Sequence, residues 1–179
     1  MERIDLHTHT LASDGSDAPA AVVRKAAALG LRAVAVTDHD TFAGLPEARA
    51  AGQRCGIEVV PGVELSTVWG GEEVHLLGYF MDTEDTALRA LMTRATDERN
   101  ARNETMVQRL HDAGYPITMD DLHAAFPGQT VLGRPHIAAL LVQRGCIASV
   151  PDGMRGLLGR GKEFYVPRYN IPLEDSVRA

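Results

Sequence analysis

Short apolar runs alternate with alanine-rich amphipathic stretches through the first part of the chain, and the hydrophobic period changes with them. Residues 3–7, 33–37 and 58–63 carry brief apolar or β-branched runs and predict strands. Residues 18–29 and 45–55 are rich in Ala and predict helices, with Gly30 and Gly56 placed to cap their C-termini. Asp17 is the expected N-cap of the first helix, and Pro19 fits its opening turn. A further strand is expected over residues 73–79, after a Gly70-Gly71 turn. Such alternation predicts successive βα units around a mainly parallel sheet, an α/β fold.

From Thr83 the pattern becomes long, charged and poor in strands. Leu88, Leu91, Met92 and Ala95, and then Met106 and Leu110, form an apolar stripe that predicts one long helix over residues 86–113, stopped by Gly114-Tyr115-Pro116. Residues 120–126 and 135–143 predict shorter helices separated by Pro127-Gly128. Three segments follow: βα units over 1–82, a helical insert over 83–160, and a return to the βα part over 161–179. Within the last segment Pro172-Leu173-Glu174-Asp175 starts a helix with almost no length left. The expectation is therefore an N-terminal part of a longer protein.

Composition narrows the function. The chain has 179 residues, 45% hydrophobic and 23% charged, enough apolar content for a sizeable core. Eighteen basic against 24 acidic residues give a net charge of −6, which argues against a broad cationic surface for long duplex nucleic acid. No apolar run reaches the ~18 residues of a membrane span, and no leader-like segment opens the chain, so a cytoplasmic protein with no membrane partner is expected. Cys55 and Cys146 form no Cys-x-x-Cys pair and suggest neither a disulfide framework nor a thiolate zinc site.

The candidate chemistry collects where the predicted strands end. His7 and His9 stand at i and i+2, so one strand face offers two imidazoles to one ion. Asp38-His39-Asp40 follows the second strand, Glu64 the third, and His75 lies in the fourth. Catalytic groups of βα barrels gather at the C-terminal ends of strands, so these scattered residues are predicted to converge. Asp14, in Ser13-Asp14-Gly15-Ser16-Asp17, is a further oxygen donor, although Asp-Gly is also ordinary turn chemistry. Glu64 follows an apolar run, where a carboxylate needs a cation or hydrogen-bond donors to offset its desolvation. Imidazole and carboxylate without thiolate suit Mn, Zn or Fe.

The segments Asp5-Leu6-His7-Thr8-His9, Thr37-Asp38-His39-Asp40, Pro61-Gly62-Val63-Glu64-Leu65-Ser66 and Val74-His75-Leu76-Leu77-Gly78-Tyr79 resemble the polymerase-and-histidinol-phosphatase (PHP) domain superfamily of metal-dependent phosphoesterases. The resemblance implies the N-terminal part of a distorted (β/α)7 barrel with two or three divalent ions. It implies His7, His9, Asp14, His39, Glu64 and His75 as ligands, with Glu64 bridging. Complete members add a His-Pro strand end and a late Asp-x-His pair, which these residues do not contain. The insert resembles the branch of nucleotide phosphatases and small-RNA exonucleases, whose Arg-x-His segment is matched by Arg134-Pro135-His136. Arg134 is accordingly expected to bind phosphate, with His136 assisting substrate binding or protonation of the leaving oxygen. The implied function is hydrolysis of phosphate esters of nucleotides or short oligonucleotides. A histidinol-phosphate-type phosphatase, or a non-catalytic metal-binding module, are the alternatives.

Overall fold

The computed structural model describes residues 3–167 and 171–179. These fall into two compact units, one within Met1–Thr96, Gln129–Val131 and Asn170–Ala179, the other within Asp97–Gly128 and Leu132–Tyr169.

In the first unit the predicted alternation becomes β1 (Arg3–Thr8), α1 (Pro19–Ala28), β2 (Leu31–Val36), α2 (Leu45–Cys55), β3 (Glu58–Trp69) and β4 (Glu72–Tyr79). β1, β2 and β3 are parallel neighbours, and short β5 (Ile171–Pro172) also runs parallel to β3 before α7 (Leu173–Arg178). The α/β class with a mainly parallel sheet therefore holds. β3 is longer than its apolar run suggested, because beyond Val63 it pairs antiparallel with β4, from Gly62↔Tyr79 to Trp69↔Glu72. The Gly70-Gly71 turn closes this hairpin with both glycines at positive φ, 59° and 83°, a conformation that costs a side-chain-bearing residue strain.

The helices pack on the sheet through small and β-branched side chains. Val23 from α1 and Val34 and Val36 from β2 are almost wholly buried with Ala48 and Ala51 of α2. Each such buried valine contributes roughly 1.5–3 kcal/mol. Gly56 ends α2 in the left-handed conformation at φ 66°, and Gly30 follows α1 at φ 70°, as the glycine positions predicted. The start of α1 differs from expectation: Ala18 is the N-cap without a side-chain bond, and Asp17 instead pairs with Lys25 Nζ at 2.6 Å. Pro19 supplies the pre-set first turn, and Glu47 Oε1 accepts from Ala20 N at 3.1 Å in place of a capping side chain.

One sheet face carries Ile4, Leu6, Val60 and Tyr79 around a groove of about 610 Å³. None of the candidate ligands lines it, so the chemistry lies elsewhere on this unit.

The second unit is helical. It takes the C-terminal part of α3 (Thr86–Asp112), then α4 (Met119–Ala125), α5 (Arg134–Gln143) and α6 (Val150–Gly156). Met106, Leu110, Ile117, Leu122, Ile137, Leu141 and Leu158 form its core. Thr118 caps α4 through a complete capping box with Asp121, which explains a stable helix only seven residues long. Among the described residues, no helix is long and apolar enough to cross a membrane.

Candidate metal centre

Four imidazoles and two carboxylates converge in the first unit, each delivered by a different local device. β1 ends in His7-Thr8-His9, and the parallel register Thr8↔Val36 sets this end beside the end of β2. Past β2 the chain bends through Asp38-His39-Asp40, where Asp40 takes a left-handed conformation at φ 52°. Asp tolerates that conformation better than bulkier residues. Glu64 N donates to Asp38 O at 3.2 Å and Asp40 N to Glu64 O at 3.1 Å, a one-residue parallel bridge that fixes His39 alongside Glu64. Asp40 Oδ1 further accepts from Ser66 N at 2.8 Å.

Glu64 is the centre of the group. Its side chain is 4% exposed. Oε2 lies 2.8 Å from both His7 Nε2 and His9 Nε2, while Oε1 lies 2.5 Å from His75 Nδ1. The two oxygens thus address two different donor groups. Asp14 stands on the loop after β1, with Oδ1 3.3 Å from His9 Nδ1 and Oδ2 3.5 Å from His39 Nε2. Three overlapping triads result: His7, His9 and Glu64; His9, Asp14 and His39; and His39, Glu64 and His75. Within each triad the donor atoms lie within 4.8 Å of one another.

His75 reaches this group by a different route from the other histidines. It sits within β4, opposite Ser66, rather than at the end of a parallel strand. The antiparallel return of the hairpin carries it back to the Glu64 level, so the convergence is real but its cause is β3–β4 pairing.

The electrostatics are those of a cation site. Burial pushes the Glu64 carboxyl up, but hydrogen bonds from His75, His9 and His7 and the nearby His39 outweigh it, leaving Glu64 well below the usual carboxylate range. Burial pushes His9 down, yet its bond to Glu64 and the charges of Asp14, Glu64 and Asp38 leave it above the ordinary imidazole value. His39 Nδ1 is buried without a hydrogen-bond partner among the described residues. An imidazole nitrogen left in that condition, within a ring of acceptors, fits a site that holds divalent cations.

Arg134 and His136 belong to the second unit. Arg134 opens α5 with Pro135 behind it, and its guanidinium carbon lies 5.7 Å from the centre of the Tyr165 ring. His136 is 5% exposed; its Nδ1 accepts from Gly133 N at 2.9 Å, and its ring meets Phe126 edge-on with centroids 4.9 Å apart. With Nδ1 accepting, the neutral ring carries its proton on Nε2.

Two arginines escaped the sequence reading. Arg99 and Arg102 on α3 are 7% and 6% exposed. Arg102 Nη2 donates to Asn103 Oδ1, whose Nδ2 donates to Leu132 O, and Arg99 Nη1 lies 3.8 Å from where a Cβ on Gly133 would stand. The signal was present in the stripe: Arg99, Arg102 and Asn103 occupy the helical positions between Ala95 and Met106 where apolar residues were due.

Imidazole and carboxylate donors gathered in this way on an α/β scaffold form three groups that could each hold a metal ion. The chain belongs to the PHP domain family, whose model matches residues 5–144. It is 37% identical over 175 residues to the 5'-3' exoribonuclease Rnm of Salmonella typhimurium, covering 97% of this chain and 59% of that protein. It is 36% identical over 177 residues to the 3',5'-nucleoside bisphosphate phosphatase of Chromobacterium violaceum, covering 99% of this chain and 62% of that protein. A solved structure from Bifidobacterium adolescentis, assigned by inference as a metal-dependent phosphoesterase, superposes with a TM-score of 0.92 at 32% identity, covering 98% of this chain and 62% of that chain. The chain thus spans about 60% of the length of these relatives.

Proposed function

We propose that this chain carries the metal-binding site of a phosphoesterase acting on phosphate esters of nucleotides or short oligonucleotides in the cytoplasm. The observation behind this reading is Glu64, a buried carboxylate whose two oxygens meet histidines of two separate donor triads. That arrangement supports a bridging role for Glu64. His7 and His9 complete one group, His39 and His75 another, and Asp14 with His39 and His9 a third. The donor set suits Mn, Zn or Fe, two or three ions in all.

Divalent ions held there supply Lewis acidity and a source of nucleophilic water at neutral pH. The protein's own contribution is to hold the ligands in place and to bind the substrate. Arg134, at the head of a helix, offers a planar fork of donors and the helix's partial positive charge to a phosphoryl group. Stacking on Tyr165 limits its side-chain freedom before substrate arrives. His136 holds the Gly133 turn through Nδ1, and its Nε2–H is the donor for a phosphate or leaving oxygen. Arg99 and Arg102 add positive charge in the same unit. The named activities of the Salmonella typhimurium and Chromobacterium violaceum relatives, exoribonuclease and nucleoside bisphosphate phosphatase, support the nucleotide class.

A second reading is metal binding without turnover, which the same donor triads support without any substrate-binding group. Incubation with Mn²⁺ and, side by side, a nucleotide 3',5'-bisphosphate, a short RNA and histidinol phosphate separates the readings. Release of phosphate or mononucleotide from the first two, abolished in His7→Ala, supports the proposal. Preference for histidinol phosphate would move the substrate class, and bound metal with no release from any ester would establish the second reading.

A further inference from the structure

Asp38 is the most buried carboxylate near the candidate centre, 1% exposed, yet it belongs to none of the three donor triads. It accepts from Thr10 N at 2.7 Å, from Thr10 Oγ1 at 2.7 Å and from Ser13 Oγ at 2.6 Å. Thr10 O in turn accepts from Ser13 N and Gly15 N at 3.0 Å each. The loop that leaves β1 is therefore wound over Asp38, with Ser13 wholly buried beside His9.

The direction of these bonds decides the state of His9. Ser13 Oγ commits its only hydrogen to Asp38, so toward His9 Nδ1, 3.4 Å away, it presents lone pairs. Asp14 Oδ1, 3.3 Å from the same nitrogen, is also an acceptor. Both neighbours of Nδ1 thus call for an N–H there. On the other side of the ring Nε2, 2.8 Å from Glu64 Oε2 and 3.1 Å from His7 Nε2, hydrogen-bonds to the carboxylate and is the nitrogen left to face a divalent ion. Asp14 is one-third exposed and within 3.5 Å of His39 through its other oxygen, so it is suited to turn toward that histidine, whereas Ser13 is fixed by Asp38.

We infer that Asp38 and Ser13 are positioning residues: a relay from Asp38 through Ser13 to His9 Nδ1 holds the Nδ1–H and the ring orientation that turn His9 Nε2 toward a metal ion. The inference rests on the metal reading of the site. Outer hydrogen-bond partners of this kind fix ring orientation and ligand basicity, and losing one typically weakens metal affinity roughly 10–100-fold. Gly44 belongs to the same arrangement, because a Cβ there would stand 2.8 Å from Asp38 Oδ2 and 3.0 Å from Thr10 Oγ1.

The test uses the 179-residue chain, with Mn²⁺ alone as probe in a chelator-competition titration, and the solvent exchange of the His9 Nδ1–H proton in Zn²⁺-loaded protein by NMR. Ser13→Ala, which removes one atom and leaves the backbone unaltered, is expected to bind Mn²⁺ roughly 10–100-fold more weakly and to exchange that proton faster. Asp38→Asn keeps an acceptor oxygen for Ser13 and is expected to fall between wild type and Ser13→Ala in both readouts. Ser13→Ala within twofold of wild type with unaltered His9 Nδ1–H exchange would overturn the relay, as would Asp38→Asn more damaging than Ser13→Ala, which would assign the effect to charge. If wild type takes up no Mn²⁺, the metal reading fails and the relay's purpose with it. Metal uptake equal in wild type and Ser13→Ala removes the relay alone.

Discussion

Replacing Glu64 by Gln tests the electrostatic argument directly, because Gln keeps the shape and removes the charge and one acceptor oxygen. In metal-free protein the loss falls on three histidine contacts. His7 and His75 are 48% and 44% exposed, so solvent screens their share heavily. His9, 21% exposed against a carboxylate that is 4% exposed, carries most of it. A buried hydrogen bond between charged partners contributes about 1.5–3 kcal/mol, so about 2 kcal/mol is expected at about pH 6, or roughly 4–8 °C in the melting midpoint. The sign with pH follows from the two shifts. His9 is raised, so its contribution is complete below its unfolded value of about 6.5 and disappears as pH rises through the folded value. Glu64 is lowered, so its contribution is present above its unfolded value of 4.5 and is lost on acidification below it. The destabilisation by Glu64→Gln should therefore be largest between these limits and shrink toward about pH 9. Melting of both proteins in chelator across that range measures it. An equal cost at both ends, or none at pH 6, would refute the assignment of His9 and Glu64 as a charge-coupled pair.

Three further outcomes are expected. Gly15→Ala would place a Cβ 2.4 Å from the carbonyl oxygen of His9, so the loop holding Asp14 must move; a cost of about 1–3 kcal/mol in chemical denaturation should accompany weaker metal binding. Arg134→Ala should raise KM for a phosphorylated substrate roughly 10–100-fold, the equivalent of one charge-assisted bond, with metal content by elemental analysis unaltered. Metal affinity measured by calorimetry should rise with pH from about 6.5 upward with release of a proton, because the raised His9 must be neutral to ligate; an affinity independent of pH would remove His9 from the ligand set.

What the sequence determined by itself was local. The alternating pattern specified βα units because a parallel strand buried on both faces and an alanine-rich helix packed on it leave different periods in the chain. The candidate donors were legible for a similar reason: His7 and His9 share a strand face by the two-residue period, and Glu64 closes an apolar run where a carboxylate needs a cation or hydrogen-bond donors. Tertiary structure decided the remainder. Only the β3–β4 hairpin brings His75 to the Glu64 level, and only the register of that hairpin lets the two oxygens of one carboxylate serve two triads. Asp17 had the composition of a helix cap but found a lysine instead, since Pro19 had already shaped the turn. Asp38 read as one more candidate ligand in a run of three, and its burial under Thr10 and Ser13 made it a support for the loop of His9. Periodicity records which face a residue occupies; which acceptor a donor meets across twenty-five residues of chain is fixed only when the strands are in register.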